Sequence, residues 1–291
     1  MKPSTALRTR RRLALAAALC LAACHRAPPL PHPGPALWEV SDKQGHRGWL
    51  FGTIHSLPDG TRWETPAIDG ALAQAGVLVV EIANLSDMSA GKAAFDAAAH
   101  RPGLPPLLAR IPPAERAEVS AALARGHMAP SDVDQLETWA AALAIASTQD
   151  PGDTDNGVDR ALLGRRLPAV GLESFAEQFA MFGRLSNAEQ ATLLHFAAAP
   201  EAGDDTAQIT RSWLKGDLAA LDREAMDAEL SDPGLRQALL VRRNQAWAAR
   251  IGTLVAQGKR PFVAVGAGHM LEDVGLPTLL AAQGYTVRRI E

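Results

Sequence analysis

From Val77 to Val80 every residue is aliphatic, and the run stops at Glu81-Ile82. A strand with one face in water alternates apolar and polar side chains. A strand that is apolar throughout is buried on both faces, the mark of a parallel strand covered by helices on either side. Three other short apolar runs take the same form. Gly48-Trp49-Leu50-Phe51-Gly52-Thr53-Ile54 leads into His55, and Pro168-Ala169-Val170-Gly171-Leu172 leads into Glu173. Pro261-Phe262-Val263-Ala264-Val265 leads through Gly266-Ala267-Gly268 into His269. Four buried strands that each end on a titratable residue restrict the chain to an α/β sheet with a polar rim.

The remaining pattern fits around that sheet. Leu37 to Asp42 alternates, and the turn Lys43-Gln44-Gly45-His46 joins it to the run from Gly48, which predicts a hairpin. Thr65 to Ala75 is predicted helical. Ser89 to Leu167 is also helical, punctuated by prolines such as Pro112 and Pro130, and helices follow from Phe175 to about Gln257 with a break near Ser231-Asp232-Pro233-Gly234. Leu276 to Gln283 reads as a helix and Tyr285 to Ile290 as the last strand. The expected fold is α/β: a central mixed sheet with an N-terminal hairpin and a large helical insertion.

The first residues do not belong to that fold. Lys2, Arg8, Arg10, Arg11 and Arg12 precede an apolar run from Leu13 to Ala23, the order of a signal peptide. The run is too short to cross ~30 Å of hydrocarbon as a helix. It ends in Leu21-Ala22-Ala23-Cys24, which resembles a bacterial lipobox and makes Cys24 the expected lipidation site. The chain has two cysteines, Cys20 and Cys24. Cys20 would leave with the leader, so the mature chain has no internal disulfide. Residues 24–35 are rich in proline and read as a tether. The expected organisation is a leader over 1–23, a tether over 24–35 and a single domain over 36–291, held at the periplasmic face of a bacterial membrane. The chain is formally −3, and loss of the five leader cations leaves the mature part at −8. A mildly acidic domain without a basic stripe is a poor nucleic-acid binder.

Ligands of α/β sheets bind at the carboxyl ends of the strands. If the four strands are parallel neighbours, two imidazoles and two carboxylates meet in one crevice. His55 and His269 both close a G-x-x-H sequence, and glycine permits a sharp exit from a strand. Each residue also has a plainer reading. Glu81 could pair with an arginine, and Glu173 could be favoured by the dipole of a helix starting near Ser174. Together, His55, Glu81 and His269 favour a functional reading. There is no G-x-S-x-G, and Cys24 belongs to the leader, which disfavours a serine or cysteine nucleophile.

These residues carry a resemblance to the TraB/GumN family, which includes the Tiki metalloproteases. It rests on Leu50-Phe51-Gly52-Thr53-Ile54-His55, Val79-Val80-Glu81, Gly157-Val158-Asp159, Gly171-Leu172-Glu173 with Glu177-Gln178, Arg243-Asn244 with Trp247, and Val265-Gly266-Ala267-Gly268-His269. The resemblance implies a fold shared with erythromycin esterases and haem-binding ChaN-like proteins. It also implies a divalent metal of the zinc, manganese or cobalt class held by His55, Glu81 and His269, and cleavage of a peptide or protein substrate. Glu81 would be ligand or general base, Glu173 a second base or an orienting residue, and Arg243 an oxyanion donor or an ion-pair partner. A metal-free esterase and a non-catalytic module that binds haem, metal or protein are the other implied functions. The sequence departs from the family pattern at Ile82-Ala83, where an aspartate is common, and at Glu272, where a glycine is usual.

Overall fold

The computed structural model describes residues 33–149, 156–199, 205–226 and 229–291. The leader, Cys24 and the tether up to His32 lie outside the described residues. Among the described residues, six strands form one sheet: β1 (Leu37–Ser41), β2 (Arg47–Thr53), β3 (Val77–Val80), β4 (Ala169–Gly171), β5 (Pro261–Gly266) and β6 (Thr286–Arg289). Their spatial order is β4-β3-β5-β2-β1-β6. The first four in that order are mutually parallel. β1 is antiparallel to both β2 and β6, so the sheet is mixed and the predicted hairpin is present. The register pairs Thr53 with Gly266, Ala264 with Val80 and Val80 with Gly171. The carboxyl ends of β2, β5, β3 and β4 are therefore level.

Strand periodicity of two divides each run between two cores. On one face Phe51, Leu78, Val80 and Phe262 pack with Ile68, Ala71 and Leu72 of the helix Pro66–Gln74. On the other, Leu50, Val79, Val263 and Val265 pack with Trp247, Ile251 and Val255 of the helix Arg242–Ala256. Burial on both sides explains why β2, β3 and β5 have no polar alternation; β4, expected to be buried as well, is the edge strand, with Ala169 exposed and Val170 and Gly171 half-buried. Thr65 starts the first of those helices, its Oγ1 accepting from the N–H of Ile68 at 3.2 Å, a standard N-cap.

As the pattern predicts, β4 divides the helical insertion, so helices lie both before and after that strand. The two halves nevertheless share a third core, in which Trp139 and Ile145 meet Leu193 and Leu194. Apolar faces too far from the sheet to reach it bury against each other instead. Among the described residues no helix is long and apolar enough to cross a membrane.

The expected break near residue 233 is the start of a new helix. Asp232 caps it by accepting from the N–H groups of Gly234 and Leu235 at 2.8 and 2.9 Å. After one turn the helix widens into a π segment, Gln237–Val241, before continuing as Arg242–Ala256. π turns inside α-helices often mark functional positions, and this one directly precedes Arg243.

Candidate active site

His55, Glu81, Glu173 and His269 each lie just past the carboxyl end of a parallel strand, and the level register brings them to one crevice. Arg243 reaches that crevice from the adjoining helix and ties the acids together. Its Nη2 donates to Glu81 Oε2 and to Glu173 Oε1, both at 2.6 Å. Its Nε donates to Glu173 Oε2 at 3.2 Å, and its Nη1 donates to the Leu239 carbonyl at 3.0 Å and to His269 Nε2 at 3.1 Å. A guanidinium has five N–H donors, and here all five are engaged. Arg243 is thus a clamp on the two carboxylates, with no donor left for an oxyanion. The Leu239 carbonyl belongs to the π segment, so the widened turn helps to aim the clamp.

The hydrogen bonds also fix both imidazoles. Asn244 is fully buried, and its Nδ2 donates to the Val274 carbonyl at 2.8 Å. Its Oδ1 therefore faces His269 Nδ1 at 2.6 Å, which must carry the proton. That leaves His269 Nε2 as the acceptor of the Arg243 bond. Burial pushes the His269 pKa down to about 3, with Arg243 and His55 acting in the same sense against Glu81. His269 is a neutral imidazole. His55 is the opposite case. Its Nδ1 lies 2.6 Å from Asp159 Oδ2, and Thr53 Oγ1 donates to Asp159 Oδ1 at 2.7 Å. A carboxylate can only accept, so His55 Nδ1 is the donor and Nε2 faces the crevice. The bond to Asp159 raises the His55 pKa to about 9, against the effect of burial and with further help from Asp159 and Glu81. Because 67% of the His55 side chain is accessible, water screens this pair in part.

The two acids differ as well. Burial opposes ionisation of Glu81, but Arg243, His55 and the Gly266 N–H hold its carboxyl below the usual carboxylate range. Glu173 is raised, because its burial outweighs the hydrogen bond and charge of Arg243. Glu173 does not act as a helix cap: Glu177 takes that role in a capping box with Ser174.

Gly266 marks where these groups converge. A Cβ built on it would lie 3.3 Å from Glu81 Oε1, 3.6 Å from His55 Nε2 and 3.7 Å from His269 Cδ2. The crevice beside it is a cavity of about 280 Å³ walled by Val80, Ile82, Leu85 and Leu163, with Arg160 and Gln178 at its polar edge.

A divalent metal bound by His55, Glu81 and His269 can be tested against this geometry. His55 Nε2 and Glu81 Oε1 lie beside the same point, whereas both His269 nitrogens are engaged: Nε2, 3.8 Å from Glu81 Oε1, accepts from Arg243, and Nδ1 donates to Asn244. Among the described residues no three His, Cys, Asp or Glu side chains are grouped to hold a metal ion. A guanidinium bonded to Glu81 adds a positive charge beside the point a cation would occupy. In this arrangement the donor set does not fit a three-ligand metal centre.

The model of the TraB/PrgY/gumN family matches residues 36–289. The chain belongs to this family. No curated protein and no solved structure matches it. Within this TraB/PrgY/gumN domain, sequence reasoning placed the four rim residues and Arg243 but assigned no role to Asp159, Asn244 or Gly266. Asp159 carried a usable signal, since Gly157-Val158-Asp159 is one of the motifs on which the family resemblance rests. Of the histidines set aside, His46 pairs with Asp42 at 2.8 Å and His195 lies 3.5 Å from Glu118. His25 and His32 lie outside the described residues.

Proposed function

We propose that this TraB/PrgY/gumN chain is an exported hydrolase, lipid-anchored at Cys24, that adds water to the carbonyl of an ester or amide, peptides included. The observation that supports this reading is the convergence of His55 Nε2 and Glu81 Oε1 above Gly266, with Asp159 behind His55. A water held between those two atoms gives its proton to Nε2 as its oxygen bonds to the substrate carbonyl carbon. Asp159 keeps the imidazole in the required tautomer and balances the charge it acquires. His55 then returns the proton to the leaving alkoxide or amine as the old bond breaks. Arg160 faces the negative charge that develops on the carbonyl oxygen. Glu173 and Arg243 hold Glu81 in place, and the apolar wall limits water to the reacting molecule.

A divalent ion of the zinc, manganese or cobalt class is the second reading, favoured by the two donors that already share one point. It would require His269 to be freed from Arg243.

The test uses the mature protein in detergent, with p-nitrophenyl esters and fluorogenic peptides as substrates. On the first reading, His55→Ala lowers kcat/KM about a hundredfold or more, and dialysis against a chelator leaves the activity in place. The reaction rate of wild type rises with pH toward about 9, because the base must be neutral and its pKa is raised. In Asp159→Asn that limb moves down toward the ordinary histidine value of ~6.5 and the maximal rate falls. Loss of activity on chelation, restored by zinc or manganese, selects the second reading. Undiminished turnover by His55→Ala eliminates both.

A further inference from the structure

The Glu81–Arg243–Glu173 cluster has a second side. Glu173 and Arg243 line a larger cleft of about 850 Å³ between the helices Phe175–Gly183 and Arg242–Ala256, whose lining is distinct from that of the His55 cavity. Volumes of this order take small molecules and short peptide segments. Its floor is apolar, with Leu172, Met181 and Trp247 each nearly buried. Trp247 is braced on both sides, 4.5 Å from the His269 ring and 4.4 Å beneath the Arg243 guanidinium.

The charges around this cleft do not cancel. Three acids line it, and all three are engaged. Glu173 forks onto Arg243 at 2.6 and 3.2 Å. Glu177 Oε2 accepts from the N–H and the hydroxyl of Ser174, both at 2.8 Å, and Glu189 Oε2 accepts from the Ser186 N–H at 2.6 Å. The cations are more open. Arg250 gives one donor to the Leu172 carbonyl at 3.0 Å. Arg184 and Arg242 line the cleft with exposed side chains and form no ion pair among the described residues. Guanidinium groups of this kind recognise carboxylates through paired N–H donors.

We infer that this cleft binds a carboxylate-bearing part of the substrate, with the apolar portion on Leu172, Met181 and Trp247 and the carboxylate on Arg184 and Arg242. Glu173 and Arg243 line the cleft, and Glu81, which Arg243 holds, lines the His55 crevice, so the clamp stands between the two and a substrate seated here would reach His55 by passing it. The word substrate rests on the hydrolase reading; the binding itself does not, and it is measured without turnover.

The probe is N-dansyl-glutamate, an aromatic group with two carboxylates, titrated by fluorescence against the mature protein beside neutral dansyl amide. The charged probe is expected to bind at least about tenfold more tightly than the neutral one, and to weaken as salt is raised. Arg184→Gln/Arg242→Gln removes that preference and leaves dansyl amide binding unchanged, while Arg242→Lys retains part of it. Equal binding of the two probes, or a double variant that binds like wild type, overturns the inference. His55→Ala separates the two proposals, since it lowers turnover about a hundredfold or more and keeps probe binding. A protein that binds the charged probe in the cleft but hydrolyses nothing overturns the hydrolase and leaves the cleft. A hydrolase indifferent to the charge of the probe does the reverse.

Discussion

At the scale of single residues, the crevice depends on a missing side chain. Gly266 has a φ of −45°, which any residue can adopt, so its backbone does not require glycine. The requirement is spatial: a methyl group would sit 3.3 Å from Glu81 Oε1 and 3.6 Å from His55 Nε2, in the volume where the reacting water must stand. Gly266→Ala is therefore expected to fold with a nearly unchanged melting temperature and to lose activity about a hundredfold, the usual effect of displacing reacting groups by about an ångström. Calorimetry paired with steady-state kinetics checks it; full activity in this variant would mean that the reaction takes place elsewhere. Arg243 shows the complementary principle. Its five bonds reach Leu239, Glu81, Glu173 and His269 from one planar group, which a lysine ammonium cannot reproduce.

At the scale of elements, the site is held by how segments begin and end. The helix Phe175–Gly183 starts with a reciprocal capping box, Ser174 Oγ accepting from the Glu177 N–H at 3.2 Å while Glu177 Oε2 accepts from Ser174. Glu177 thereby leaves Glu173 for Arg243. Ser174→Ala is expected to cost about 1 kcal/mol and to lower the melting temperature by about 2–4 °C, as for a domain of roughly this size. No loss of stability in a thermal melt would show that the cap contributes nothing. The elements also divide what was legible in the sequence. β2, β3 and β5 announced themselves, because double-sided burial and a polar end are local properties; β4 shares the apolar run and the polar end but sits at the sheet edge without that burial. Their convergence could be stated as a condition, and the register met it. The clamp was not legible as a clamp, because Arg243 lies 162 residues from Glu81 and 70 from Glu173, and no periodicity encodes such pairings. The same holds for Asp159, 104 residues from His55. The π segment before Arg243 was also invisible, since Gln237–Val241 reads as ordinary helix.

At the scale of the molecule, two cores sandwich the sheet and a third supports the helices beyond it. Trp139, at the centre of that third core, stacks on Phe182 at 5.7 Å between ring centroids, far from any strand. Under the anchor proposed for Cys24, Cys24→Ala is expected to move the protein from the membrane to the soluble fraction with its melting temperature unchanged. Fractionation of cells checks this, and a variant that stays with the membrane would refute the anchor. The antiparallel pairing of β1 with β2 has a consequence for how such a protein would search for substrate. Leu37 pairs with Phe51, so β1 begins at the end of the sheet where the parallel strands finish, and the Gly34 N–H is bonded to the Leu214 carbonyl nearby at 2.7 Å. An anchor at Cys24 would thus leash the domain by its reactive rim, on a chain that reaches at most roughly 35 Å. Diffusion would be confined to a thin layer above the bilayer, where a lipid-borne or surface-bound substrate has an effective concentration in the ~mM range and a substrate free in the periplasm gains nothing.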